Sequence, residues 1–473
     1  MSDRLCGRWH LDPRRRGGCV YIDAVTTTER IHARLITRDL DAEAALPEPV
    51  RRDVPRNSLR LIGANALQSS GDQTVSASTV LPWLFHAIGV PAALTGALVP
   101  IRESGSMLPQ AFLTPFVVRV RRRKLVNVAG ALVQAAAVAV MAITAAVGSG
   151  VVAGLVILAA LAVFSLGRCL TSIASKDVQA RVVPKGERGQ INGLATTASG
   201  LVAITLGLAV RALGEGLDAQ TLAAILGLGA ALWVAVAGVW ASIREPVTLR
   251  DGAGAPPQGP DSDEADEGQS WFAETITLLR EDATFRNFVT VRSFLLVSSL
   301  SPPFIVTMAV QAGAPALTGL GGFIIASGLA ALLGGRVFGR MADRSSRRLM
   351  MLGAALASLV LVALVVVDTA LDLAGDSLLT YAIFVGAYFL VTMLHTGVRV
   401  GRKTYVVDIA DGDQRTTYVA VSNSAMGLVL LVVGAITSAI AGLGIVWALL
   451  FLAGLGVLGV LSSRRLPEVE GAA

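Results

Sequence analysis

The sequence predicts an all-α membrane protein with twelve transmembrane helices in two six-helix halves. Three observations carry this. Hydrophobic residues make up 53% of the 473-residue chain and charged residues 16%, and the mean hydropathy is +0.64. Lys and Arg are confined to short blocks between apolar runs, and they occupy alternate inter-span loops. The two halves of the chain also echo each other.

Residues 1–56 are charged and contain no apolar run of signal-peptide type, so this stretch reads as a cytoplasmic tail. Twelve apolar segments follow: 58–85, 91–117, 125–147, 150–173, 190–212, 218–242, 287–310, 316–339, 347–369, 376–398, 416–440 and 443–462. Each can cross a hydrocarbon core of about 30 Å. Asn65, Gln68, Asp72 and Gln73 make the first too polar to face lipid, and suit it to the wall of a water-filled cavity. The second carries Arg102 and Glu103 in its middle. Residues 57–242 form the first half. Residues 243–286 form a cytoplasmic linker, with 251–268 rich in Gly, Pro, Asp and Glu and 270–286 reading as an interfacial amphipathic helix. Pro302 and Pro303 interrupt the seventh span. The second half occupies 287–463, and 464–473 is a cytoplasmic tail.

The basic blocks lie at 119–124, 176–188, 243–286, 340–348, 399–403 and 464–465. The opposite loops, near 86–90, 148–149, 213–217, 311–315, 370–375 and 441–442, contain no Lys or Arg. This distribution puts both termini in the cytoplasm, in a bacterial inner membrane. It also makes topology and headgroup contact the first explanation of the formal charge of +6, ahead of nucleic acid. Cys6, Cys19 and Cys169 have no metal-ligand spacing, and a structural disulfide is not expected on the cytoplasmic side.

The repeat is visible at the span boundaries. Arg56-Asn57 precedes the first span and Arg286-Asn287 the seventh, each followed by a second arginine, Arg60 and Arg292. Pro115, Arg119, Arg123 and Lys124 follow the second span, and Gly339, Asp343, Arg344, Arg347 and Arg348 follow the eighth. Arg188 follows the fourth and Arg415 the tenth, each twenty residues after a basic side chain, Arg168 and His395. Two six-span halves facing each other across a central cavity account for this order.

The segment GRMADRSSRR, residues 339–348, resembles the signature loop of the major facilitator superfamily. With the six-plus-six layout and the central linker, the resemblance covers about 56–465. It implies a loop that ties the cytoplasmic ends of neighbouring helices and helps set the inward–outward equilibrium. On that reading Gly339 allows close helix approach, and Asp343 meets a helix N-terminus or a basic partner. Arg344, Arg347 and Arg348 pair with carboxylates. The first-half copy departs from the pattern, with Pro115 and Arg119 in the glycine and aspartate positions. A gate there needs other partners. The fifth span lacks the Gly-Pro pair common in the family's proton-coupled drug exporters, and the family's sugar-porter loop signatures are not evident.

Glu103 lies about 18 Å into its span and Asp72 at a comparable depth, taking 1.5 Å per helical residue. Both are candidates for reversible protonation, because loss of water favours the neutral carboxyl. The competing reading is a fixed ion pair with Arg102 or another basic group. Arg102 is also a candidate for an anionic substrate. Asn65, Gln68, Gln73 and Gln134 are candidate cavity hydrogen-bonders, or else satisfy one another between helices. Arg168, Arg188, Arg292, His395 and Arg415, with the signature-loop residues, are candidates for a cytoplasmic gate; anion capture is the alternative for Arg168 and Arg292.

No phosphate-binding loop, HExxH pair or nucleophile constellation occurs. The expected function is secondary active transport, by symport or antiport, of a small organic solute. Alternating access carries it, protons couple it, and the transporter is a monomer among membrane lipids without a cofactor. A membrane-embedded enzyme using Glu103, Asp72 and His395, or a non-transporting receptor on the same fold, are the alternatives.

Overall fold

The computed structural model describes residues 27–38, 43–44, 46–212, 218–246, 277, 280–313, 316–371, 377–408 and 414–467. Most of the expected tail and linker lies outside them; of the amphipathic segment expected at 270–286, only 277 and 280–286 are described, and its last four residues belong to the first helix of span 7. A short amphipathic helix, α1 (Thr27–Leu35), precedes the membrane domain. Span 1 is built from α2 (Glu48–Thr74) and α3 (Val80–Ala87). Span 2 is α4 (Ala92–Thr95), α5 (Leu98–Met107) and α6 (Gln110–Arg119). Spans 3 to 6 are α7 (Arg123–Val147), α8 (Gly150–Val182), α9 (Lys185–Ala212) and α10 (Ala219–Ser242). Span 7 is again in pieces, α11 (Ala283–Phe294), α12 (Val297–Leu300) and α13 (Pro302–Gln311). Spans 8 to 12 are α14 (Ala316–Arg344), α15 (Ser346–Leu371), α16 (Leu378–Asp408), α17 (Gln414–Ala441) and α18 (Ile445–Ser463).

Eight of the described spans are long and apolar enough to cross a membrane, and Thr197–Ala212 and Gly319–Gly334 are shorter apolar helices. The polar span 1 and the broken span 2 complete the twelve. Helix ends follow local chemistry. Asp218 accepts from Thr221 N at 2.9 Å to start α10, Asp282 from Phe285 N at 2.9 Å to start α11, and Ser345 Oγ from Arg348 N at 3.2 Å to start α15. Gly150 turns at φ +64°, a conformation that a side chain would strain, and its N–H reaches Ile88 O at 2.7 Å.

Two helices outrun their apolar segments. The sequence places the end of span 4 near 173 and of span 10 near 398, whereas α8 runs to Val182 and α16 to Asp408. Hydropathy stops where charge begins, but backbone hydrogen bonding does not. His395 therefore lies near the middle of its helix, not near its end.

The packing of the first half recurs in the second. Spans 1–5, 1–6, 2–4, 3–4 and 3–6 touch, and so do 7–11, 7–12, 8–10, 9–10 and 9–12. The halves meet through span 5 against span 8 and span 2 against span 11, which the same repeat interchanges. Glycines set the first seam. A Cβ on Gly207 would stand 2.8 Å from Gly321 O, and one on Gly328 would stand 3.0 Å from Gly200 O. At the second seam Gly434 faces Pro100, Gly427 faces Leu108, and Ser104 Oγ donates to Gly427 O at 2.8 Å. Backbones that close let dispersion and polar contacts act where no hydrophobic driving force exists between helices.

Candidate functional site

The breaks in spans 2 and 7 lie beside a cavity of about 100 Å³ between the halves. Val99 and Glu103 reach it from span 2, Ser298 and Ser299 from span 7, and Thr392 and His395 from span 10. Ser78, Pro302 and Tyr388 complete the wall. Proline at the start of α13 costs no hydrogen bond and lets the chain change direction there. His395 Nδ1 lies 3.3 Å from Ser298 Oγ. Glu103 and His395 thus share one pocket, although 292 positions separate them in sequence (395 − 103). Glu103 is the acidic member of that lining, and its charge reaches Arg402, two turns beyond His395 on span 10.

Asp72 is differently placed. Its Oδ1 accepts from Arg102 at 2.9 Å and its Oδ2 lies 2.9 Å from Arg168. Three helices, α2, α5 and α8, are pinned by one carboxylate. Arg102 also lies 5.8 Å from the Phe164 ring centre, and Phe164 meets Trp233 edge-on at 5.4 Å. Arg168 is therefore part of a mid-membrane ion triad in the first half. Asn65 Nδ2 turns back to Leu61 O at 2.8 Å within its own helix. Gln68 and Gln73 are half-buried on α2. Gln134 is buried at the seam of spans 3 and 4, where it donates to Gly130 O at 3.1 Å and packs on Gly167, away from the cavity lining.

Arg292 is 7% exposed on α11. It donates to Ser422 Oγ at 2.9 Å and to Asn423 Oδ1 at 3.0 Å, both on span 11 and both neutral. Arg188 folds back on the end of α8, donating to Val183 O at 3.0 Å and Ala180 O at 2.5 Å. It thus satisfies carbonyls the helix leaves open.

In the signature loop, Gly339, Asp343 and Arg344 fall in the last turns of α14 and Arg415 in the first turn of α17, but their side chains lie outside the described residues. Arg347 donates to Leu466 O at 2.7 Å, holding the chain end beyond span 12. The first half uses other residues at the equivalent place. Glu245, with its side chain fully buried, accepts from Arg123 N at 3.1 Å and Lys124 N at 2.9 Å. It caps span 3 as an aspartate would, where the helix dipole favours an anion. Arg123 pairs with Asp177 at 2.9 Å, and Arg181 bridges Asp177 at 3.1 Å and Glu245 at 3.5 Å. Sequence reasoning missed Asp177, Arg181 and Glu245, because they come from a helical extension and from the linker's first residues. Pro184 and Arg188 pointed at that end of the molecule without naming them.

The helix α1 docks at the same end. His32 Nε2 lies 3.5 Å from Glu187 Oε2, with both side chains buried, and Thr37 and Gln190 exchange hydrogen bonds of 2.8 and 3.0 Å. Arg38 grips Glu43 with two bonds, at 2.7 and 2.5 Å. Burial, with the Arg38 charge in support, pushes the His32 imidazole below its ordinary range. The Arg38 hydrogen bond holds the Glu43 carboxyl below its own. Among the described residues no cluster of three or more His, Cys, Asp or Glu is placed to hold a metal ion.

The comparisons with known proteins agree with this geometry. A D-xylose-proton symporter superposes with a TM-score of 0.65 at 12% identity, covering 88% of this chain and 99% of its own. A nucleoside transporter gives 0.61 at 13%, covering 86% and 98%. A POT family transporter bound to a thioalcohol-conjugated peptide gives 0.65 at 12%, covering 89% and 98%. At such identity these likenesses concern the fold alone. No curated protein matches the sequence significantly. The family model described as Major Facilitator Superfamily matches residues 63–393, well over half the chain, and with the repeated packing and the central cavity this shows that the protein is a multi-pass membrane protein of the major facilitator superfamily.

Proposed function

We propose that this chain is a secondary active transporter that moves a small organic solute by alternating access and is driven by protons. The observation that carries the reading is Glu103, a carboxylate in a small cavity walled by both halves and facing His395. Asp72, held by two arginines, is structural in this reading; Glu103 carries the proton. While ionised, Glu103 on span 2 attracts Arg402 on span 10 and so draws the halves together across the cavity. Protonation removes that attraction and lets the halves rock about the seams of spans 2 and 11 and spans 5 and 8. His395 lines the same cavity and, through Nδ1, lies within reach of Ser298 Oγ at 3.3 Å, so it offers a neutral hydrogen-bonding partner beside Glu103. The signature loop and the Arg123–Asp177–Arg181–Glu245 network are the cytoplasmic gates, one per half, with Arg188 and Arg415 beside them. Both termini lie in the cytoplasm of a bacterium, and the protein works as a monomer.

The structural neighbours are named for xylose, nucleoside and peptide transport, so their likeness favours transport without favouring a cargo. The test is pH-gradient-driven flux in sealed proteoliposomes carrying the purified protein. Accumulation that collapses with an uncoupler, and that Glu103→Gln abolishes while the protein stays folded, is the expected result. Flux in Glu103→Gln with unchanged pH dependence would remove Glu103 from the mechanism.

A further inference from the structure

We infer that the substrate is an organic anion, bound by Arg292 and Arg402 and taken up together with the proton on Glu103; this rests on the transport reading above. In the first half, Arg102 and Arg168 share one carboxylate, Asp72. Across the interface, Arg292 feels the charge of Arg402, and Arg402 feels first Arg399 and then Glu103. With Arg399, five guanidinium groups thus stand against two carboxylates in this group of described residues.

Arg292 is almost fully buried. Its two terminal nitrogens meet only a hydroxyl and an amide oxygen, and its Nε, like that of Arg402, is buried with no partner among the described residues. A buried arginine without an anion is costly, and a guanidinium fork suits a carboxylate or phosphate better than any neutral group. Arg292 is on α11 and Ser298 of the cavity wall on α12, just across the break in span 7. Arg402 is two turns from His395 on the same helix. Both arginines lie outside the cavity lining, on the two spans that carry Ser298 and His395 into it, so the proposed anion site adjoins the pocket that holds Glu103.

Ionised Glu103 competes with that anion for Arg402. Around it are Arg102, its chain neighbour, through which Asp72 and Arg168 are linked, His395 in the shared cavity, and Arg402 on span 10 with Arg399 and Arg292 close to it. Protonating Glu103 frees Arg402, so proton and anion bind cooperatively and travel in the same direction.

The experiment measures the melting temperature and flux of the full chain with benzoate, succinate and glycerol phosphate, and with benzamide, succinamide and glycerol as neutral counterparts. Vesicles of phosphatidylcholine are compared with vesicles containing phosphatidylglycerol. At least one free anion stabilises the protein, and its affinity rises by up to about tenfold per unit fall in pH, the limit for one linked proton. Arg292→Gln weakens it by about tenfold to a hundredfold, while Arg292→Lys retains part of the affinity and guards against misfolding. Glu103→Gln binds the anion tightly at every pH. Stabilisation by a neutral counterpart alone, or an Arg292→Gln variant with unchanged affinity, overturns the inference but leaves transport standing. Stabilisation by phosphatidylglycerol with no free anion effective assigns the arginines to a lipid and also overturns it. Anion binding with no flux of any solute supports the site and counts against transport.

Discussion

At the scale of single residues, burial decides what each charge does. Asp72 and Glu103 look alike in sequence, both acidic and both deep in a span. Asp72 ends between two arginines and Glu103 ends in a cavity. Replacing Asp72 with Asn should leave Arg102 and Arg168 without a counter-charge and destabilise the fold by about 1–3 kcal/mol. That is less than for a fully buried pair, because water still reaches part of each side chain. A lower melting temperature in detergent, partly restored by adding Arg168→Gln, checks this. His32 and Glu43 both lie below their ordinary ranges when docked. The docked state of α1 therefore binds fewer protons than the released state, and its stability is full at neutral pH. It falls away as pH drops, first through the imidazole range and then through the carboxylate range. Trypsin cleavage at Arg30 and Arg34 should accelerate with acidification, and His32→Gln should lose the imidazole part of that dependence. Equal cleavage at neutral and acid pH would show that the cluster does not latch α1.

At the scale of elements, the seams are the testable parts. Gly207→Val would drive a branched side chain into Ile325 and the Gly321 carbonyl, separating spans 5 and 8. Flux and melting temperature should both fall. Gly227→Ala, where a Cβ meets nothing within 4 Å, should leave both unchanged. The spans, their repeat and the break at Pro302 were legible in the sequence because hydropathy and proline act locally. The breaks in span 2 were less so: Pro109 is one of several prolines in a long apolar run, and nothing nearby marks it as the place where α5 ends. The site was legible in part. Depth alone singled out Glu103 and Asp72 as candidates, and the boundary arginines singled out Arg292. The pairing of Arg168 with Asp72, the meeting of Glu103 with His395, and the capping of span 3 by Glu245 all depend on tertiary neighbours from distant segments. His395 was read as a cytoplasmic-gate candidate because the apolar stretch ends near 398; α16 continues to Asp408, and His395 lies mid-helix on the cavity wall.

At the scale of the whole molecule, the basic loops and the glycine seams predict different things. The loops predict topology: a cysteine introduced at Ser149 should react with an impermeant thiol reagent from outside intact cells, and one at Arg348 only after permeabilisation. The seams predict that the halves move as bodies, since each half has its own copy of the same contacts. The capping of span 3 by Glu245 has a consequence for how the polypeptide can be made. The carboxylate that finishes the first half is supplied by that half, just after span 6, and Asp282 starts span 7 from the other side. Each half therefore carries its own terminal hydrogen bonds, and peptide continuity between them is dispensable for either fold. A gene split between the codons for Glu245 and Asp282 should yield two polypeptides that assemble in the membrane and restore flux, whereas a split before Glu245 should not.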